Sequence, residues 1–204
     1  MQTMLAHDQN AGLGAGQITV EAFDRLLRLP ENRDRLLELI DGEIVEKTPT
    51  EEHGFIAAIL ATLLNNFVLP RKLGIVAVEA RHRIPTDRRN SRLPDVSFRY
   101  GNGPLVREGA VPRMPDLAIE IQSPDDTVKA MREKAAYYLA NGVRLVWLIF
   151  PPKRYVEVYR PGAEMEIFFG RDLLDGGELL PGFTFPVQEL FAEPLADHKG
   201  ASAV

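Results

Sequence analysis

The sequence predicts an α/β fold: a mixed central sheet flanked by helices, with a β-hairpin added near each end. Three observations carry this. Helical and strand-like patterns interleave in the order helix, hairpin, helix, three strands, helix, strands. Val143–Phe150 (VRLVWLIF) is a nearly unbroken apolar run, the pattern of a strand at the centre of a sheet covered on both faces. The 204 residues, 45% apolar and 26% charged, suit one globular domain of ordinary size with its own core. The expected division is a tail over 1–16, a single domain over 17–192 and a second tail over 193–204.

Thr19 can cap a short helix over Val20–Leu29, closed by Pro30. Arg35–Lys47 (RLLELIDGEIVEK) places two apolar-rich runs around Asp41-Gly42, and a two-residue Asp-Gly loop is the strongest short hairpin signal. Thr48-Pro49-Thr50-Glu51 combines a capping box with proline at the first helical position. The helix it opens runs to about Val68, is apolar nearly all round and should be buried, with Pro70 as its stop. Gly74–Ile84 and Leu93–Arg99 read as strands around a polar turn, and Gly101–Pro112 as a loop. Asp116–Gln122 (DLAIEIQ) is a third strand. Ser123-Pro124-Asp125-Asp126 starts a helix that runs to Ala140 and ends on Asn141-Gly142. Tyr155–Tyr159 and Glu164–Phe169 form a hairpin around Pro161-Gly162, and the final LLPGFTFPVQELF docks on the body.

Composition excludes several classes of function. There is no cysteine, so no disulfide framework, no thiolate nucleophile and no cysteine-based metal site. A net charge of −5 excludes a diffuse basic coat for nucleic acid, though not a local basic strip. The Met1–Gly16 stretch has no basic start and no apolar run, and so does not read as a signal peptide. The most apolar run, Phe55–Leu64, is half of the roughly twenty residues a bilayer requires. The expectation is a cytoplasmic protein with no membrane segment. Walker A, Rossmann and GxSxG patterns are absent, and Gly12, Gly14 and Gly16 follow no strand.

One strand stands out. In Asp116–Gln122, Leu117, Ile119 and Ile121 share one face, while Asp116, Ala118, Glu120 and Gln122 share the other. Glu120 thus places a carboxylate in the middle of a core-like strand. The plain reading is a solvent-facing sheet surface; the sharper one is a metal ligand or catalytic carboxylate, since a buried charge requires a partner. Asp116 is too distant, roughly 13 Å along the strand. Asp95, at the start of LPDVSFR, can converge with Glu120 if the two strands are neighbours. Two carboxylates with carbonyls and water suit Mg²⁺, with Mn²⁺ as an alternative.

Lys134 lies on a helical stripe with Ala130 and Tyr138, so its stem can pack while its ammonium emerges near the carboxylates. A snorkelling boundary lysine is the competing reading. His53, in the first turn of the long helix, and Glu43, after the hairpin turn, are candidate supporting residues; a capping histidine and an exposed strand residue are the ordinary alternatives. Arg81, Arg83, Arg88, Arg89 and Arg92 fall in RHRIPTDRRNSR, directly before Asp95, and arginine forks suit phosphate oxygens. A solvated turn is the competing reading here.

Together these residues resemble a known signature. Pro94-Asp95 followed by Glu120-x-Gln122 looks like the motif of PD-(D/E)XK nucleases. More closely, the chain is similar to a bacterial family known as putative restriction endonucleases. The shared pattern runs through Glu38-Leu-Ile-Asp41-Gly42-Glu43, His53, Pro94-Asp95, Pro115 to Ile121, Ser123-Pro124, Lys134, Tyr138, Gly142-Val143, Trp147, Val156 to Tyr159 and Leu180-Pro181-Gly182. It covers about Gln17 to Phe191.

The resemblance implies a restriction-endonuclease-like core and a metal-dependent phosphodiesterase. Asp95, Glu120 and the Ile121 carbonyl would carry over as metal ligands. Position 122 is Gln122 where the signature usually has lysine, and Lys134 is the implied substitute. Phe150 departs from the aspartate often found at that strand end. The implied activity is a Mg²⁺-dependent DNA endonuclease acting as a homodimer or higher homo-oligomer. Two other readings compete: a catalytically silent nuclease-fold protein used for binding or assembly, and a phosphoesterase acting on RNA or nucleotides.

Overall fold

The computed structural model describes residues 17–192. The expectations for the two tails, with Gly12, Gly14 and Gly16, fall outside the described residues.

Helix α1 (Val20–Leu27) starts on Thr19, whose side chain accepts a hydrogen bond from the Ala22 amide. It stops two residues earlier than expected, and Pro30 opens a short 3-10 turn instead. Strands β1 (Leu36–Ile40) and β2 (Glu43–Lys47) pair in the expected register around Asp41-Gly42. Both turn residues have positive φ, +50° and +87°, the geometry that makes Asp-Gly the favoured pair here. Leu37 and Leu39 pack with Val20 and Phe23 of α1 into a small separate core.

Helix α2 spans Glu51–Arg71. Its cap is Thr50 rather than Thr48, because the Thr50 hydroxyl reaches the His53 amide. Pro70 lies inside the last turn rather than ending the helix; Lys72 does that in a left-handed conformation. By length and composition α2 could cross a membrane. Here it is not buried all round: its Ile56, Leu60, Leu64 and Val68 face packs into the core, while Phe55 and Leu69 are exposed.

The central sheet has six strands in the order β3-β4-β5-β6-β7-β8. They are β3 (Gly74–Val78), β4 (Val96–Tyr100), β5 (Leu117–Ile121), β6 (Leu145–Phe150), β7 (Tyr155–Tyr159) and β8 (Glu166–Phe169). The expected strand to Ile84 breaks at Glu79, where φ is +50°. All neighbours are antiparallel except β5 and β6. That parallel pair requires a crossover, which helix α3 (Val128–Ala140) supplies. Its cap is Thr127, later than the Ser123-Pro124 start the sequence suggests, because the residues between form a turn in which Asp126 accepts from the Ser123 amide. Helices cover both sheet faces, α2 over Leu117, Ile119 and Ile121, α3 over Ala118, Val146 and Leu148. The C-terminal segment forms a further hairpin, β9 (Leu173–Gly176) with β10 (Leu180–Pro186), whose Phe183 and Phe185 pack on Trp147. Mixed sheet, flanking helices and added hairpins all match the expected class.

Candidate active site

The register between β4 and β5 builds the centre. Val96 lies opposite Ile119 and Ser97 opposite Ala118, so the next pair outward is Asp95 with Glu120, on the α3 face of the sheet. Asp95 is 2% exposed and Glu120 0%. Glu120 is therefore not on a solvent-facing surface, and its burial requires partners.

Each carboxylate has one oxygen fixed by donors other than lysine. Asp95 Oδ2 accepts from the Ile121 amide at 2.6 Å and lies 3.1 Å from His53 Nε2. Glu120 Oε1 accepts from the Tyr138 hydroxyl at 2.6 Å. The remaining oxygens turn to one cation: Lys47 Nζ is 2.5 Å from Asp95 Oδ1 and 3.3 Å from Glu120 Oε2. Lys134 Nζ adds a contact of 3.0 Å to Glu120 Oε2. Glu38 joins from the hairpin, accepting from the Leu93 amide through Oε1 while its buried Oε2 has no hydrogen-bond partner; Lys134 lies 3.8 Å from it.

The charges fix one another. Burial opposes the charged form of Lys47, but Glu120, Asp95 and Glu38 outweigh it and hold the ammonium raised above its ordinary pKa. Lys134 is raised for the same reasons, by Glu120 and Glu38 against burial. Burial would raise Asp95; the Lys47 charge and the His53 hydrogen bond hold it below the usual carboxylate range instead. Burial, then the Glu120 charge, pushes the Tyr138 hydroxyl well up, so it stays a donor.

A cleft of about 440 Å³ opens beside this cluster, between the β1–β2 hairpin and the start of α3. Glu38, Lys47, Arg92, Asp126, Lys134 and Tyr137 are among its walls.

Asp95, Glu120, Lys134 and His53 are thus brought together as expected. Gln122 is not: its amide donates to the Asp126 carbonyl at 2.9 Å and stabilises the turn before α3. Glu43 is exposed at the turn end of the hairpin, outside the cleft walls. The arginines do not form one strip. Arg81 is turned inward onto the Leu37 carbonyl and the Phe23 ring. Arg83 and Arg88 face Asp24 and Glu21 of α1, at 3.9 and 3.5 Å, and Arg89 donates to Gln17. Arg92 alone lines the cleft, stacked 4.1 Å over Tyr137 with its Nε unpartnered.

Two residues were missed. Lys47 and Glu38 come from the hairpin. The signal was faint: β1 alternates, so Leu37 and Leu39 face α1 while Glu38 faces the other way, and register places Val45 opposite Glu38 and Lys47 two residues further along the same face.

A family profile described as "Uma2: Putative restriction endonuclease" matches residues 21–188, most of the chain. The chain belongs to the Uma2 family. No curated protein matches it. Among solved structures, it is similar to a putative nuclease belonging to DUF820 from Anabaena variabilis, with a TM-score of 0.72 and 28% identity. That alignment covers 85% of this chain and 97% of the other. The Uma2 chain therefore has a nuclease-like fold, and its hairpin, both carboxylates and Lys134 all lie within the family match.

Proposed function

We propose that this Uma2 chain is a metal-dependent endonuclease that hydrolyses phosphodiester bonds in DNA. The observation that carries the reading is the pair of buried carboxylates on adjacent strands, each turning one oxygen to the same cation. The membership of a restriction-endonuclease family supports nucleic acid as the substrate class.

The residues present fit a hard divalent ion. Asp95 Oδ1 and Glu120 Oε2 are close enough to share one cation, and their other oxygens are already fixed. Among the described residues no three acidic or histidine side chains converge to hold a metal by themselves. Mg²⁺ or Mn²⁺ would rest on Asp95, Glu120, the Ile121 carbonyl and water, a donor set Mg²⁺ commonly uses. When bound, the ion would polarise the scissile phosphate and lower the pKa of a bound water.

The chain's own groups do the rest. His53 and the Ile121 amide orient Asp95, and Tyr138 orients Glu120. Lys134 holds its ammonium at the cleft wall, where it positions the attacking water and offsets charge growing on the phosphate. Arg92 presents a guanidinium to a neighbouring phosphate oxygen from the same wall. A two-fold related homodimer would let two such sites cut both strands.

The test is cleavage of supercoiled DNA, single-stranded DNA and RNA with Mg²⁺ or Mn²⁺. Asp95→Ala and Glu120→Ala are expected each to abolish cutting and metal binding. Cutting that survives both substitutions would sink the assignment; cutting of RNA alone would move the substrate, and no cutting with intact nucleic-acid binding would favour a silent binding protein.

A further inference from the structure

We propose that Lys47 is a resident counter-ion of the Asp95–Glu120 pair, which a divalent cation must expel into the cleft before the site can act. The proposal rests on the metal-dependent reading above.

Lys47 Nζ meets three oxygens: Asp95 Oδ1 at 2.5 Å, the Leu93 carbonyl at 2.8 Å and Glu120 Oε2 at 3.3 Å. An ammonium has three N–H donors, so this position is fully coordinated. Two of the three acceptors are the only carboxylate oxygens of the pair not held by His53, Ile121 or Tyr138. A Mg²⁺ ion takes such oxygens at about 2.0–2.1 Å. An ammonium and a divalent ion cannot both sit on the same two oxygens, because their like charges would lie nearly in contact. One of them must leave.

Lys134 need not be that one. It reaches a single carboxylate of the pair and stands between Glu120 and Glu38. Lys47 has a way out: it is the last residue of β2, it lines the open cleft, and its four-carbon stem is flexible. The cleft wall also carries a further negative charge on the same face of the hairpin, Glu38, whose Oε2 accepts no hydrogen bond and has Lys134 3.8 Å away. Swung off the pair, the ammonium enters the cleft, the space a substrate phosphate would occupy. The metal-free protein is thereby kept from the repulsion of two buried carboxylates, and the site is silent until metal arrives.

The test uses the unmodified chain. Lysines are acylated with a water-soluble reagent, with and without saturating Mn²⁺, and read by peptide mass spectrometry, while calorimetry follows Mn²⁺ binding on the same sample. Lys47 should be protected in the metal-free protein and its labelling should rise about five-fold or more with Mn²⁺, as a released ammonium becomes reachable; exposed Lys72 serves as the unchanged reference. A Lys47 that stays protected while Mn²⁺ binds overturns the proposal and leaves the metal site standing. Absence of any Mn²⁺ binding overturns both. A second arm uses Lys47→Met, expected to bind Mn²⁺ about ten-fold more tightly than the unsubstituted chain, because a competing charge is gone. Equal affinity, or an equal gain in Lys134→Met, overturns the proposal; if Lys47→Met does not fold, the labelling arm decides alone.

Discussion

His82 shows how one buried ring reports on the sheet edge beside the site. Its Nδ1 lies 3.0 Å from the Arg113 carbonyl and must donate there, which leaves Nε2 to accept from the Ser97 hydroxyl at 3.2 Å. Burial lowers its pKa to about 4, outweighing the Arg113 carbonyl, with Arg99 and Arg113 adding to the effect. The unfolded ring takes up a proton near pH 6.5 and the folded one only near 4, so its contribution is complete above 6.5 and is lost as pH falls toward 4. At about 1.4 kcal/mol per unit the loss is about 3 kcal/mol. Urea unfolding of His82→Gln against the unsubstituted chain at pH 7 and pH 4.5 should show a shallower pH dependence in the variant; parallel curves would refute it. Tyr138→Phe strips the donor from Glu120 Oε1 inside the core and should cost about 2 kcal/mol in the same measurement. Such residues were partly legible in the sequence. Asp95, Glu120 and Lys134 could be read because strand alternation and helical stripes are local, and each places a charge where a core residue belongs. Lys47 and Glu38 could not, because their role depends on where the hairpin docks, and no local pattern encodes that.

At the scale of elements, the hairpin is the piece on which the site's added charges ride. Its turn needs Gly42: φ is +87°, and a Cβ there would lie 3.1 Å from Gln17 Cβ and 3.2 Å from the Ile18 carbonyl oxygen. Gly42→Ala should therefore destabilise the chain by more than about 1 kcal/mol, through both strain and crowding. It should also loosen Lys47 and Glu38, detectable as faster amide exchange over residues 36–47. Unchanged exchange with unchanged stability would mean that the turn does not govern the hairpin. Helix α3 is anchored differently, by Arg132 gripping buried Glu157 on β7 at 2.5 and 3.1 Å, which sets Lys134 and Tyr138 over Glu120. Elements with strong local punctuation were readable: the Asp-Gly hairpin, the two long helices, the apolar β6. The β9–β10 hairpin was not, since a glycine-rich stretch carries little alternation and its strands form by packing Phe183 and Phe185 against Trp147. The start of α3 was misread because Ser-Pro-Asp is as good a turn as it is a cap, and the turn won through Asp126.

At the scale of the whole molecule, the mildly acidic balance and the dispersed arginines point the same way. The net charge is −5, and Arg81, Arg83, Arg88 and Arg89 face partners within the chain. Five arginines share one segment of the sequence; folding turns one inward, sets two against α1 and one against Gln17, which leaves Arg92 with Lys47 and Lys134 as the cations of the cleft. A protein that neutralises Z phosphates shows a slope of about −0.9Z in log affinity against log salt. With Z at most three, because Lys47 and Lys134 face carboxylates in the metal-free chain, the slope for duplex DNA is expected to be no steeper than roughly −3, with weak nonspecific affinity at physiological salt. Fluorescence anisotropy between 50 and 200 mM salt, on a Glu120→Gln variant to prevent cutting, measures it. Arg92→Gln should make the slope shallower by about one, while Arg88→Gln, already paired with Glu21, should leave it unchanged. A slope of about −6 would mean instead that the arginine segment leaves its partners within the chain and closes on the nucleic acid, so that the charge arrangement of the free chain is not the one that binds.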